Sequence, residues 1–127
     1  MLAVDTNVVV RLLVNDDARQ GELARRRFAS DEIWIGVTVL LEASWVLESV
    51  YGFSTPETAK ALRGLLRLPN VRAEDAAAVS AAFDAASTGL ELADALHLLR
   101  APEDVELATL DRRLAKAGRT LRPVRRM

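Results

Sequence analysis

The chain has 127 residues, of which 50% are apolar, 28% are charged and 5% are aromatic, with a formal net charge of −1. This length fits a single domain over residues 1–127, and the apolar half supplies enough side chains for one buried core, which excludes global disorder. The absence of cysteine excludes disulfide frameworks, thiolate metal sites and cysteine nucleophiles.

The first half of the chain alternates short apolar runs with helical patterns. Leu2–Val4 predicts a strand, and Asp5, Thr6 and Asn7 all have side chains suited to capping the helix that follows. The next predicted elements are a helix from Asn15–Asp17 through Phe28, a strand at Ile33–Ile35, a helix over Val39–Tyr51 with Thr38 as its N-cap, and a helix to about Leu68 that opens with a capping box at Ser54–Glu57. Residues 38–68 therefore predict a helical hairpin.

The second half continues the alternation after the break at Pro69-Asn70. Its predicted elements are a strand beginning at Val71, helices over 75–86 and 90–100, a strand at Glu106–Leu110, a short helix to Ala117 closed by Gly118, and a last strand at Leu121–Val124. Short apolar strands that alternate with helices predict an α/β domain with a mainly parallel sheet. In such sheets, ligand sites form beyond the carboxyl ends of the strands.

Positive charge is concentrated at the C-terminal end. Residues 112–127 carry seven basic side chains and no acidic one, whereas residues 1–111 carry 10 basic and 18 acidic side chains. Two interpretations of this basic end, residues 113–127 of the domain, stay open: a surface that contacts a phosphate backbone, or a solvated terminal helix and tail. No secretory signal pattern opens the sequence and no apolar run approaches the roughly 18–20 residues of a membrane helix, so we expect a cytoplasmic protein.

Two acidic residues follow predicted strands directly. Asp5 comes after the first strand and Asp111 after the fourth. If these strands are parallel neighbours, both carboxylates lie at the same edge of the sheet. Each residue equally suits the N-cap of the next helix, which is a common role for Asp.

Two further acids lie within predicted helices. Glu42 has Thr38, Val39, Trp45 and Val46 at helical spacing, and a carboxylate in such surroundings usually needs a partner; the alternative is a surface Glu that extends its carboxylate into solvent. Asp94 has Glu91 and His97 one turn away, so a plain polar helix face explains it equally well. One histidine cannot supply a zinc-type ligand set, and ligation by oxygen alone favours Mg²⁺ or Mn²⁺.

Four short segments are each a weak signal alone, but their order and separation along the chain make a strong signal together. They are Leu2–Val8, Thr38–Glu42, Leu92–Leu98 and Ala108–Arg113. The set resembles the PIN-domain ribonucleases, in particular the VapC toxins of bacterial toxin–antitoxin pairs, from residue 1 to about 124. One departure is that Arg100 and Pro102 stand where relatives tend to continue with small apolar residues.

The resemblance implies a three-layer α/β/α fold with four or five short strands in a mainly parallel central sheet. It also implies an acidic pocket that binds Mg²⁺ or Mn²⁺, with Asp5, Glu42, Asp94 and Asp111 as its catalytic and metal-ligating residues. Four smaller or auxiliary positions match supporting residues of that pocket: Thr6, Asn7, Thr109 and Glu91.

The function that follows from this resemblance is metal-dependent cleavage of RNA, such as tRNA or rRNA, by the toxin of a VapBC-type pair. The implied partners are a VapB-like antitoxin and a second copy in a homodimer. We hypothesise that Asp5 and Asp111 bind metal directly, that Glu42 and Asp94 complete the shell directly or through water, and that Thr109 orients a bound water. One or two metals fit this hypothesis.

RNA must approach an acidic pocket, so cations are expected around it. Arg11, Arg112 and Arg113 are the candidate RNA contacts. The alternative function is a catalytically silent PIN-like module that binds RNA or protein without turnover.

Overall fold

A computed structural model describes residues 1–127 as an α/β fold of seven helices and five strands. The strands are β1 (Leu2–Ala3), β2 (Ile33–Ile35), β3 (Val71–Ala73), β4 (Leu107–Thr109) and β5 (Val124–Arg126). The helices are α1 (Thr6–Leu13), α2 (Ala18–Ser30), α3 (Val37–Ser49), α4 (Thr55–Leu66), α5 (Ala76–Ser87), α6 (Leu92–Arg100) and α7 (Arg112–Gly118). None of these helices has both the length and the apolar character needed to cross a membrane.

Every strand pairing is parallel, but the strands form two separate sheets. One has the order β1-β2-β3 and the other consists of β4 and β5. Leu2 is opposite Ile33 in the first sheet, and Leu107 is opposite Val124 in the second. The condition under which Asp5 and Asp111 would share a sheet edge, that β1 and β4 are neighbours, is therefore not met by the strand pairings. Strand β1 consists of two exposed residues and is an edge strand of its sheet, paired with β2.

The core surrounds the middle strand of the larger sheet. Ile33 and Ile35 of β2 are fully buried within a cluster of 20 buried residues drawn mainly from α1, α3, α4, α5 and α6. A second, much smaller cluster joins the end of α6 to α7 and β5, and it consists of Leu98, Leu114, Ala115 and Val124. The two sheets therefore rest on cores of very different size.

The capping residues predicted from the sequence begin several of the helices. The capping box at α4 is confirmed: the Ser54 amide donates to Glu57 Oε1 at 2.8 Å, and the Glu57 amide donates to Ser54 Oγ at 3.2 Å. Hydrogen bonding of the Glu57 carboxyl to Ser54, first to its backbone amide and then to its side chain, holds the pKa of Glu57 below its usual range. Asp17 caps α2 in the same way, through the amide of Gln20.

Two predicted boundaries are wrong. Thr38 is the second residue of α3 rather than its cap, because the helix already begins after Gly36. Strand β5 begins at Val124, where the predicted strand was expected to end. The amides of Leu121 and Arg122 both donate to the carbonyl of Gly118, which completes a turn after α7 and delays the strand.

Candidate functional site

An open cavity of about 350 Å³ lies between the first residues of α4, α6 and α7. We call it the acidic cavity because three carboxylates line it. Its lining residues are Thr55, Thr88, Gly89, Leu90, Glu91, Asp94, Asp111, Arg113, Leu114 and Ala117. The structure thus brings together two of the four predicted catalytic acids and the auxiliary acid Glu91.

Asp111 is held in place by its own local backbone. Its Oδ1 accepts hydrogen bonds from the amides of Arg113 at 2.8 Å and Leu114 at 3.2 Å, so it caps α7. The amide of Asp111 donates in turn to Thr109 Oγ1 at 3.0 Å. Thr109, predicted as a supporting residue, therefore supports Asp111 directly. The cap uses only Oδ1, which leaves Oδ2 of Asp111 without a hydrogen bond inside the chain.

Asp94 and Glu91 lie at the start of α6. Asp94 is the third residue of the helix and is half-buried, and Glu91 precedes the first residue without capping it. Neither takes part in any of the seven salt bridges of the chain. The amino end of a helix favours negative charge, so both carboxylates lie where the helix dipole is favourable to them.

Asp5 and Glu42 lie outside the acidic cavity. Asp5 caps α1 by accepting from the Val8 amide at 3.2 Å, and it lines a second cavity of about 300 Å³ together with Asn7 and Arg11. The two cavities share no lining residue. Glu42 is exposed on α3 and lines neither of them. Thr6, the first residue of α1, is half-buried between Asp5 and Asn7.

Arg11 already has several partners within the chain. Its Nη1 donates to Asp16 Oδ1 at 2.8 Å and to the Tyr51 hydroxyl at 3.1 Å, and its Nε donates to Gln20 at 2.9 Å. The Tyr51 hydroxyl also donates to Asp16 Oδ2 at 2.6 Å. This network raises the pKa of Arg11 and lowers the pKa of Asp16, with the Tyr51 hydrogen bond the largest cause of each shift. A role of Arg11 in RNA binding stays a prediction.

The arginines of the basic C-terminal end differ in whether they bond to the rest of the chain. Arg122 donates to the backbone carbonyls of Leu98 at 2.6 Å and Ala101 at 2.9 Å, and it also bonds those of Pro102 and Val105. Arg112 and Arg113 are exposed at the start of α7, and neither forms a salt bridge. Arg113 is thus the cation that lines the acidic cavity.

The sequence as a whole matches one known family. A sequence model of the PIN domain covers residues 2–120, which is nearly the entire chain. The chain belongs to the PIN domain family. A search of curated proteins finds none that matches at a significant level. PIN domains are generally nucleases that usually use divalent metal ions, and the mixed α/β architecture with parallel strands agrees with the family's three-layer α/β/α fold.

The carboxylates of this PIN domain do not form a complete metal site in the structure. Asp94 and Asp111 offer the oxygen donors that Mg²⁺ and Mn²⁺ prefer. No group of three or more His, Asp or Glu side chains is arranged to hold one ion, however. A single cage built from Asp5, Glu42, Asp94 and Asp111 therefore does not fit the arrangement observed.

Two cavity residues were missed by the sequence analysis. Thr55 and Thr88 line the acidic cavity, where the Thr55 hydroxyl donates to Glu48 at 2.9 Å and the Thr88 hydroxyl donates to the Ala85 carbonyl at 2.7 Å. Both lie at helix ends that the sequence indicated, at the capping box of α4 and at the Thr88-Gly89 break. These sequence patterns indicated where the helices begin or end, but they did not indicate that Thr55 and Thr88 lie near Asp111.

Proposed function

We propose that this PIN domain is an endoribonuclease whose reaction is centred on the acidic cavity. The observation that carries the proposal is the placement of Asp94 and Asp111 on one cavity, with no ion pair to either and with Arg113 beside them. Asp94 is half-buried and Asp111 is exposed, so the cavity presents carboxylates that are open to solvent and have no cation paired to them within the chain.

The side chains of the cavity are suited to phosphodiester hydrolysis. A carboxylate of Asp94 or Asp111 accepts a proton from the attacking water as a general base. The guanidinium of Arg113 donates hydrogen bonds to phosphate oxygens, and the exposed Arg112 adds a second positive charge at the start of α7. Attraction to these arginines offsets the repulsion between the RNA backbone and the three carboxylates.

We further propose that the activity requires Mg²⁺ or Mn²⁺ and that the chain is the toxin of a VapBC-type pair. The family's usual cofactor and the oxygen-only donor set support the metal. The resemblance to VapC toxins supports the rest of this proposal: an RNA substrate, a VapB-like antitoxin as partner and a homodimer. Asp5 and Glu42 remain proposed catalytic residues on the same resemblance.

Cleavage of a defined single-stranded RNA by the purified full chain tests the central proposal. We expect Asp94→Asn and Asp111→Asn each to slow cleavage at least 100-fold in Mg²⁺ or Mn²⁺, with an unchanged circular dichroism spectrum. Asp104→Asn is the matched control, because Asp104 is exposed and lies outside both cavities. Full activity of Asp94→Asn would contradict the proposal.

Two further variants locate the boundary of the site. Asp5→Asn keeps an N-cap acceptor for α1, and Glu42→Gln alters an exposed side chain, so both preserve the local structure. Loss of cleavage in both extends the reactive site beyond the acidic cavity. Wild-type rates in both restrict it to Asp94 and Asp111.

A catalytically silent module that binds RNA or protein is the second candidate. The observation that favours it is that no three His, Asp or Glu side chains are arranged to hold one metal ion. Its signature is RNA binding without cleavage in every metal tested. Growth arrest on expression that Asp5→Ala relieves supports the nuclease toxin instead.

A further inference from the structure

A second groove, unrelated to the acidic cavity, lies between α4, β3 and α5. Its volume is about 540 Å³, and we call it the basic groove. Its apolar side is formed by Leu66, Val71, Val79 and Phe83, and three arginines stand around it: Arg63, Arg67 and Arg72. It shares no lining residue with the acidic cavity.

The three arginines differ in how their charge is balanced. Arg63 donates to Asp84 at 2.6 Å and lies 5.7 Å from the centre of the Phe83 ring, so its charge is matched within the chain. Arg67 and Arg72 are exposed, and neither has a carboxylate within 4.0 Å. Two uncompensated positive charges therefore flank an apolar slot, which favours a ligand that is acidic and partly apolar.

The backbone beside the slot has unused hydrogen-bonding capacity. Strand β3 is at the edge of its sheet and pairs only with β2. Because the Asn70 carbonyl accepts from Ile33 and the Glu74 amide donates to Ile35, residues 70, 72 and 74 face β2. Alternation along a parallel strand then turns the amide of Ala73 and the carbonyl of Val71 outward. An extended peptide can pair with such an edge as an additional strand.

We propose that the basic groove binds an extended acidic segment of a partner protein. The segment adds as a strand to the outer edge of β3, places carboxylates on Arg67 and Arg72, and inserts an apolar side chain into the slot. A peptide fits better than single-stranded RNA, because Phe83 is only 2% exposed and leaves no aromatic face on which a base can stack. This proposal does not depend on the nuclease activity.

Fluorescence anisotropy with the purified full chain tests the groove directly. The probe is a fluorescein-labelled octapeptide of alternating Glu and Val, and the comparison peptides are alternating Lys and Val, and four Glu followed by four Val. We expect only the alternating Glu–Val peptide to bind well, and Arg67→Glu with Arg72→Glu to weaken it at least tenfold. The double variant Arg19→Glu and Lys116→Glu makes the same change in net charge on exposed side chains of α2 and α7, which do not line the groove, and should alter the Kd less than twofold.

A backbone variant separates strand addition from charge attraction alone. Ala73→Pro removes the outward amide of the edge strand, and an edge position tolerates proline. We expect it to weaken the peptide at least tenfold, whereas Ala73→Ser, which keeps the amide, should bind normally. Circular dichroism of both variants verifies that the fold is intact.

Several results would overturn the proposal. Equal binding of the Lys–Val peptide would show that the groove does not select acidic side chains. Unchanged binding of the Glu–Val peptide by the Arg67→Glu, Arg72→Glu double variant would show the same. Binding of labelled oligouridylate in EDTA that the double variant abolishes, with no peptide binding, assigns the groove to nucleic acid. Self-association in sedimentation that the double variant abolishes assigns it to a second copy of this chain. Loss of RNA cleavage by Asp94→Asn leaves all of these measurements unaffected.

Discussion

The two sheets of this PIN domain are stabilised in different ways. The three-stranded sheet around β2 rests on 20 buried apolar residues, whereas the β4–β5 sheet rests on four. Asp5 follows a strand of the first sheet, and Asp111 follows a strand of the second. Because the smaller sheet has so few buried apolar contacts, we infer that the position of Asp111 depends more on polar contacts than the position of Asp5 does.

Arg122 is the main polar contact of the smaller sheet. It lies just before β5 and bonds the carbonyls of Leu98 and Ala101 at the end of α6, together with those of Pro102 and Val105 in the loop toward β4. One guanidinium with several donors in a fixed plane suits this arrangement, which an ammonium group cannot reproduce. Arg122 thus connects the helix that carries Asp94 with the sheet that carries Asp111.

The largest expected effect comes from removing this connection. Arg122→Ala leaves several backbone carbonyls without a charged donor, and we expect it to lower the free energy of unfolding by about 2–4 kcal/mol. Urea denaturation measures the loss. Hydrogen exchange should show it first in β4 and β5, before the amides of β2 are affected.

Two controls accompany Arg122→Ala. Arg122→Lys keeps the charge and should recover only a minor part of the stability. Arg126→Ala changes an exposed arginine of the same sheet and should have almost no effect. Uniform loss of protection across both sheets would contradict the view that the smaller sheet is separately stabilised.

Glycines in the two regions provide the next comparison. A Cβ at Gly118 would lie 2.7 Å from Leu98 Cδ2 and 3.0 Å from Val124 Cγ2, whereas a Cβ at Gly64 on α4 would meet nothing within 4 Å. We expect Gly118→Ala to destabilise by about 1–3 kcal/mol through overpacking of the small core. Gly64→Ala should stabilise by about 0.4–1 kcal/mol, because alanine favours a helix more than glycine does.

Thermal unfolding of the two glycine variants checks both signs. A destabilised Gly64→Ala would show that α4 packs more tightly there than the structure indicates. A neutral Gly118→Ala would show that Leu98 and Val124 move apart without cost, and that the small core is less tightly packed than its distances suggest.

The sequence predicted the elements well because their signals are local. The capping box at Ser54 and the cap at Asp17 each depend on residues within one helical turn, and the alternation of strands with helices is a pattern along the chain. The order of strands within a sheet depends on long-range packing. No local pattern therefore showed that β1 and β4 belong to different sheets.

The candidate site was predictable only in part, for the same reason. Glu42 was expected to need a partner because apolar residues surround it in the sequence. The structure leaves Glu42 exposed, and its helical neighbour Trp45 is 66% exposed, so an apolar neighbour does not guarantee burial. Asp94 looked like part of a plain polar face, yet the packing of α6 near α7 places it on the same cavity as Asp111.

The cap at Asp111 gives a smaller predicted effect. Asp111→Ala removes the acceptor for two amides of α7 and should destabilise by about 1 kcal/mol, whereas Asp111→Asn keeps an acceptor and should cost less. Chemical denaturation measures both. Equal stability of the two variants would indicate that the cap contributes nothing. Asp111→Asn is consequently the better variant for testing catalysis, because it separates charge from structure.

The smallest expected effect concerns the region of the larger core, where Arg11, Asp16 and Tyr51 form a hydrogen-bonded network at the surface. The pKa of Asp16 is lowered, first by the Tyr51 hydrogen bond, so this carboxylate stabilises the folded state above the ordinary Asp value of about 3.9 and loses that contribution as the pH falls through the lowered pKa. Tyr51→Phe should raise the pKa of Asp16 toward the ordinary value, slightly lower the stability above that pH, and reduce the loss of stability on acidification.

An NMR titration of the Asp16 carboxyl carbon in the wild type and in Tyr51→Phe measures this shift. The pKa of Glu22, which is lowered by Arg26 and Arg25 on α2, should stay unchanged and serves as the internal reference. An unaltered Asp16 pKa in Tyr51→Phe would mean that Arg11 alone holds the carboxylate. Arg11 would then act as Arg122 does, through the hydrogen bonds that its own guanidinium donates. The two arginines would differ in the exposure of their partners, because Arg11 bonds side chains at the surface and Arg122 bonds partly buried backbone carbonyls.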